Sequence, residues 1–316
     1  MNITSLLSII LTLFCLMATG FLCRKLGVIT NESSKGLSKL ILWVGQPMLI
    51  LTALEKAEYS TENLTVGWQV TLIGFVMHLL LCVLAFFICK ALKGSPDQSK
   101  IFEFSLVFAN CGFIGFPILD SILGDGVGSF MGAFFVISFH LYIWTWGIMI
   151  LGRGRDDIRM TVKKALVNFG TIPCLIGIAI YLLKPLFELP DFCGKVFDYL
   201  GSLCTPISVL VTGALIATIP LSKMFTNKKL YLHSAIKLIA FPIVICLLAK
   251  LVGLGDTYIL LVTAMAGMPS AATVTMLGEL YDIDPAYASQ TVGLTSILCT
   301  FTLPVIMMLA QWIITI

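Results

Sequence analysis

The stretch Asn110-Cys-Gly-Phe-Ile-Gly-Phe-Pro117 combines a side-chain amide with residues that interrupt an apolar helix. Proline lacks an N–H donor and clashes with the preceding turn, so two glycines and a proline this close together predict an opened helix. Lipid cannot hydrogen-bond the freed backbone groups, which must line a cavity or be buried in protein. The ends of the half-helices carry partial charges that attract ions. The stretch therefore predicts a polar site within the membrane, and the alternative is a kink used only for packing.

A second interruption, Gly267-Met-Pro-Ser270, favours the binding site over the kink. Asn110 lies seven residues before Pro117, about two helical turns, and its amide can donate to a carboxylate or satisfy a freed carbonyl. The glycines allow close backbone approach, either to a ligand or to a neighbouring helix. The candidate binding residues at the two interruptions are Asn110, Gly112, Gly115, Pro117, Met268, Pro269, Ser270 and Thr273.

Two further proline dipeptides, Gln46-Pro47 and Thr205-Pro206, each lead into an apolar run. Gln46, Thr205 and nearby Ser208 are candidates for the opposite wall of the same pocket. A purely structural role is an equal alternative for each of them.

Two histidines, His78 and His140, fall near the middle of apolar segments. Ionisable groups inside membrane spans are costly and therefore functional by default. Because histidine titrates near neutral pH, we hypothesise that His78, together with His140, forms a protonation site. The alternative is a neutral histidine that is hydrogen-bonded to backbone.

The composition places these residues in a membrane protein. Of 316 residues, 58% are hydrophobic and only 12% are charged, whereas soluble domains carry about 25% charged residues. A net charge of +3 is too small and too dispersed to indicate nucleic-acid binding. Residues 1–23 lack a basic leader and a convincing cleavage site, so we expect a retained first span.

The ten cysteines give no sign of a disulfide framework or a metal site. Nearly all lie within apolar segments, with no CxxC pair and no adjacent histidine, and buried cysteine behaves as a small hydrophobe. We expect no metal and no cofactor. An intramembrane enzyme would need a paired carboxylate, a Cys–His dyad or a metal cluster, so we predict that the chain is not an enzyme.

Ten stretches are long enough to span a bilayer, which requires about 20 apolar residues each. The predicted segments are Ile3–Leu22, Gly36–Leu54, Val66–Cys89, Ile101–Leu123, Val127–Leu151, Ala165–Leu183, Asp198–Ile219, Leu232–Val252, Thr257–Leu280 and Tyr287–Ile314.

The lysines and arginines predict the orientation of these segments. The loops after segments one, three, five and seven contain fifteen of them, against four in the loops after segments two, four, six and eight. Because basic residues concentrate in cytoplasmic loops, we expect both termini outside the cell membrane.

Five segments on each side of a short linker, residues 152–164, predict two repeats of opposite orientation, residues 1–151 and 165–316. Gly115-Phe-Pro117 in segment four recurs as Gly267-Met-Pro269 in segment nine. Matching interruptions in two inverted halves are a sequence sign of a transporter binding site.

At these residues the chain resembles the auxin efflux carrier family in its compact bacterial form. The resemblance covers essentially all 316 residues. Its most specific parts are the Asn110–Pro117 stretch and Met268-Pro269 followed by a small polar residue, with Glu279-Leu-Tyr281, Asp284-Pro285 and Thr302-Leu-Pro304 beyond them. The long cytoplasmic loop of plant members is absent, which puts phosphorylation-based regulation in doubt but not transport.

The resemblance implies an all-α membrane fold of ten helices in two inverted five-helix repeats, like sodium/bile-acid symporters and sodium/proton antiporters. Segments one, two, six and seven would form a scaffold that contacts a second copy in a homodimer. Segments three to five and eight to ten would form a mobile transport domain, in which broken segments four and nine cross. Family members move carboxylates, and Asn110 matches the family's substrate-contacting asparagine. Plant relatives carry an acid in segment three, whereas here His78 lies close to that level.

The sequence therefore predicts a secondary active transporter of small organic anions, either dicarboxylates such as malate or malonate or an auxin-like monocarboxylate. Alternating access would be of the elevator type. No nucleotide-binding loop is present, and the coupling ion, H⁺ or Na⁺, stays open. The alternative is a passive anion channel or substrate sensor on the same fold. Two charged residues near segment ends, Glu103 and Lys237, are expected to reach the headgroups.

Overall fold

A computed structural model describes residues 3–92, 94–158, 161, 167–168, 170–218 and 221–316. Helices dominate these residues, and seven helices are long and apolar enough to cross a membrane. The prediction of an all-α membrane protein is therefore confirmed. The helices are α1 Ile3–Lys25, α2 Asn31–Lys56, α3 Thr61–Ala91, α4 Pro96–Val107, α5 Phe116–Leu123, α6 Val127–Leu151, α7 Thr171–Leu183, α8 Asp191–Ile216, α9 Leu221–Thr226, α10 Lys228–Leu251, α11 Asp256–Gly267, α12 Thr273–Leu280 and α13 Pro285–Thr315.

The predicted segments four and nine are each divided into two short helices. Segment four consists of α4 and α5, separated by residues 108–115, which include a π-helical turn from Cys111 to Gly115. Pro117 lies in the first turn of α5, where its missing N–H breaks no hydrogen bond. Segment nine consists of α11 and α12, separated by residues 268–272. Residues 159–160 and 162–164 of the linker, and residues 165, 166 and 169 at the start of segment six, lie outside the described residues.

The two interruptions pair with each other through their backbones. Ala109 and Ser270 form an antiparallel bridge. The Asn110 N–H donates to the Pro269 carbonyl at 2.8 Å, and the Ala271 N–H donates to the Phe108 carbonyl at 3.0 Å. Backbone groups that the helices no longer satisfy are thus satisfied inside the protein, as a lipid environment requires.

Close helix packing holds the rest of the bundle together. α1 packs along α8, α3 along α6, and α10 along α11. Gly20 of α1 lies against the Leu210 carbonyl of α8, and Gly213 of α8 lies against the Met17 carbonyl of α1. Only glycine lets the backbones of α1 and α8 approach this closely.

Neither Glu103 nor Lys237 reaches the headgroups, so that expectation is wrong. The Glu103 side chain is 2% exposed and forms a bidentate pair with the half-exposed Arg153 at the end of α6. The ammonium of Lys237, which is 0% exposed, donates to the Leu106 carbonyl of α4 at 3.0 Å. In both cases a neighbouring group satisfies the charge, the Arg153 guanidinium for Glu103 and a backbone carbonyl of α4 for Lys237, which removes the reason for the side chain to extend toward water.

Candidate functional site

A cavity of about 40 Å³ lies where the two interruptions meet α2 and α6. Its walls are mostly apolar, with four side chains that carry amide, imidazole or hydroxyl groups. The lining residues are Gln46, Ala109, Asn110, Gly112, Phe139, His140, Ile143, Trp144, Ala271, Ala272, Thr273, Met276 and Leu277.

The Asn110 side chain lies in this cavity wall, and the residue is 4% exposed. Its backbone N–H donates to the Pro269 carbonyl, which is one of the hydrogen bonds that join the two interruptions. Among the described residues, no hydrogen-bond partner is found for its side-chain amide. A side-chain amide that lines a cavity can donate two hydrogen bonds and accept others from a ligand or from water.

Gln46 and His140 reach the cavity from the opposite side and contact each other. Nε2 of Gln46 lies 3.3 Å from Nε2 of His140, so the amide donates when that ring nitrogen carries no proton. A Cβ at Gly112 would lie 2.6 Å from the Gln46 amide nitrogen, so glycine makes room for it. Nδ1 of His140 is buried without a partner among the described residues, and the ring lies against Gly170.

Several predicted site residues lie next to the cavity but do not line it. The Ser270 hydroxyl donates to the Ser105 carbonyl at 3.0 Å, whereas the Thr273 side chain lines the cavity. Met268 is fully buried, and Gly115 packs against Met265. Pro117 and Pro269 do not line the cavity, and their role is to interrupt the two helices.

Other predicted wall residues lie farther along α8. The Ser208 hydroxyl donates to the Thr205 carbonyl at 2.9 Å, within the same helix. Neither residue lines the cavity, so of the proposed scaffold wall only Gln46 does so.

His78 and His140 lie in different environments. His78 is 1% exposed, and its Nδ1 lies 2.7 Å from the Gly74 carbonyl and 3.2 Å from the Ser138 hydroxyl. The imidazole stacks on Tyr142 and does not line the cavity. Phe139 contacts the His78 ring and also lines the cavity, so it connects the two positions.

The apolar lining was missed by sequence reasoning. Phe139, Ile143 and Trp144 flank His140 in the α6 wall, while Met276 and Leu277 extend the α12 wall beyond Thr273. Helical spacing from His140 to Trp144 and from Thr273 to Leu277 would have indicated these residues. The site thus offers a few donors at one end and an apolar surface for the rest of a small ligand.

A second, larger cavity of about 820 Å³ opens beside the loops that follow segments two, four and eight. Its charged lining residues are Lys56, Glu58, Asp120, Asp125 and Asp198. Among the described residues, no group of His, Cys, Asp and Glu side chains is arranged to hold a metal ion.

Comparison with known proteins identifies the family. The family model described as membrane transport protein matches residues 5–160 and 155–307, which is nearly the whole chain. The chain belongs to this family. It is therefore a multi-pass membrane transporter and not an enzyme, and the resemblance to auxin efflux carriers is confirmed.

Named relatives of this membrane transport protein are distant but align along most of its length. An "Uncharacterized transporter" of Methanocaldococcus jannaschii is 23% identical over 95% of this chain and 96% of its own. The "Uncharacterized transporter YfdV" of Escherichia coli K12 is 18% identical over 87% of this chain and 88% of its own. A Rhizobium meliloti protein named "Putative malonate transporter" is 22% identical over 93% of this chain and 92% of its own.

Proposed function

We propose that this membrane transport protein is a secondary active transporter of small carboxylates that binds its substrate between the two helix interruptions. The observation that carries the proposal is the Asn110 amide, which lines the cavity and makes no side-chain hydrogen bond to another residue that the structure describes. A carboxylate oxygen is the acceptor that such a donor prefers, because hydrogen bonds to charged groups are the stronger ones.

Other groups around the cavity support an anionic substrate. The α12 N-terminus begins at Thr273, and a helix N-terminus stabilises a negative charge by about 0.3–1 kcal/mol, more when partly buried. Gln46 adds an amide donor from the opposite wall. The relative named for malonate supports a small carboxylate, and the aromatic lining can accommodate the apolar part of a monocarboxylate.

We further propose the ten-span architecture with two inverted repeats, residues 1–151 and 165–316. The support is that Gly-x-Pro interrupts both matching segments and that the interruptions pair in antiparallel orientation. In this arrangement α1, α2, α7 and α8 form the scaffold, and α3 to α6 with α10 to α13 form the transport domain.

The proposed mechanism is elevator-type alternating access. Gln46 belongs to the scaffold and His140 to the transport domain, so their contact closes the site in this conformation and must break when the domain moves. The basic loops support a cell-membrane orientation with both termini outside. A homodimer through the scaffold helices completes the proposal, on the basis of the family resemblance.

An uptake screen in proteoliposomes tests this function. We expect purified protein to take up labelled malonate or another small mono- or dicarboxylate, and preloading with unlabelled substrate to accelerate uptake. A channel would show no such trans-stimulation. If none of the carboxylates is taken up above protein-free liposomes, the proposed substrate class is wrong.

A further inference from the structure

Lys237 places a cationic side chain deep in the bundle. It lies nine residues into α10, about 14 Å from the helix start at 1.5 Å per residue. The side chain is fully buried in the π-helical turn of α10 and cannot extend to water. A lysine at this depth is expensive and calls for a functional explanation.

The lysine ammonium binds the C-terminal end of half-helix α4. It donates to the Leu106 carbonyl at 3.0 Å, next to the Ser105 carbonyl that accepts from Ser270. A helix C-terminus carries about half a negative charge, which stabilises the ammonium but does not neutralise it. Asn110 of the cavity follows Leu106 by only four residues. The remaining positive charge therefore lies at the end of the half-helix that leads into the proposed substrate site.

No carboxylate among the described residues pairs with Lys237. Glu103, on the same half-helix α4, is engaged by Arg153. Nearby polar groups are the thiols of Cys111 and Cys299. An unpaired charge in a low-dielectric interior favours any state that brings a counter-charge close to it.

A second α10 side chain fixes the same end of α4. Nε2 of His233 lies 2.7 Å from the Ser105 hydroxyl, and its ring meets the Phe102 ring edge-on at 4.8 Å. His233 and Lys237 are one turn apart and hold consecutive residues of α4. We expect α10 and α4 to move together, so that the charge travels with the substrate site.

We propose that Lys237 is a tethered counter-ion that makes this protein an anion exchanger without a need for sodium. The inference rests on the proposed transport of carboxylates. A bound monoanion balances the lysine, so the loaded transport domain crosses the membrane nearly neutral. The empty domain would carry an uncompensated charge across the bilayer, which slows its return.

Monomethyl malonate, a monoanion close in size to malonate, is the probe for the experiment. In proteoliposomes we expect exchange at least ten-fold faster than net uptake, equally in sodium and in choline buffer. Lys237→Gln keeps a donor for the Leu106 carbonyl but removes the positive charge. It should weaken the binding of monomethyl malonate about ten-fold, and the rates of exchange and net uptake should then lie within two-fold of each other. Lys237→Arg should keep the wild-type ratio.

Lys250→Gln is the matched control, because Lys250 lies on the same helix and also donates to a helix-terminal carbonyl, that of Ile313. It should leave the ratio unchanged. If Lys237→Gln does not fold, Lys237→Met replaces it. Three outcomes overturn this inference alone. They are an unchanged ratio of exchange to net uptake in the charge-free variant, a sodium requirement in the wild type, and malonate uptake without exchange of monomethyl malonate. No carboxylate uptake by the wild type overturns the proposed function and this inference with it.

Discussion

At the scale of single residues, the two mid-span histidines separate into one beside the cavity and one away from it. His140 lines the cavity and contacts Gln46, whereas His78 is bound to the Gly74 carbonyl among aromatic rings. A proton on His140 would add positive charge next to the bound anion. Protonation of His140, and not of His78, should therefore affect substrate affinity.

We predict that His140→Gln flattens the pH dependence of carboxylate uptake, because glutamine keeps a polar side chain at this position but cannot be protonated. Wild-type uptake should rise as pH falls, because the imidazolium attracts the anion. His78→Gln is the matched control and should keep the wild-type profile. The measurement is initial uptake against pH, and a double variant with the wild-type profile would rule out a protonation site at these histidines.

At the scale of helices, sequence reasoning succeeded where local backbone chemistry decides the outcome. Glycine and proline weaken a helix locally, so the Gly-x-Pro motifs that end at Pro117 and Pro269 marked both interruptions, whereas Pro304 lies inside the uninterrupted α13. The burial of Lys237 could not be predicted from the sequence, because it depends on a carbonyl of a helix more than a hundred residues away. For the same reason, sequence reasoning could not show that Thr273 lines the cavity while Ser270 bonds to α4.

The contact between α1 and α8 gives a stability prediction. A Cβ at Gly213 would collide with the Met17 carbonyl, and backbone cannot move aside as a side chain can. We expect Gly213→Ala to cost roughly 1–3 kcal/mol or more, the usual range for overpacking. Gly36→Ala on α2, where no atom lies within 4 Å, is the control. Thermal unfolding in detergent measures both, and equal melting temperatures would show that α1 and α8 are not held by this contact.

At the scale of the whole molecule, the proposed motion predicts which cross-links stop transport. Tyr181 of the proposed scaffold packs on Phe130 of the proposed transport domain, with ring centroids 5.7 Å apart. A mercury-linked Phe130→Cys/Tyr181→Cys pair in a cysteine-free background should block uptake, and thiol reagents should restore it.

The control cross-link joins two scaffold positions. Lys56 and Asp198 form an ion pair at 2.7 Å between α2 and α8. Linking cysteines at these positions should leave uptake intact, since the two helices do not move relative to each other. Uptake that survives the first link, or stops with the second, would contradict the proposed division of the molecule.

Calorimetric titration with malonate measures whether a carboxylate binds at Asn110. A hydrogen bond to a charged group contributes about 1.5–3 kcal/mol, so Asn110→Ala should weaken binding about 10- to 100-fold. Asn63→Ala is the control, because its amide donates to the Glu58 carbonyl away from the cavity at 2.9 Å. We expect wild-type affinity for Asn63→Ala and a large loss for Asn110→Ala, and equal affinities in all three proteins would contradict carboxylate binding at Asn110.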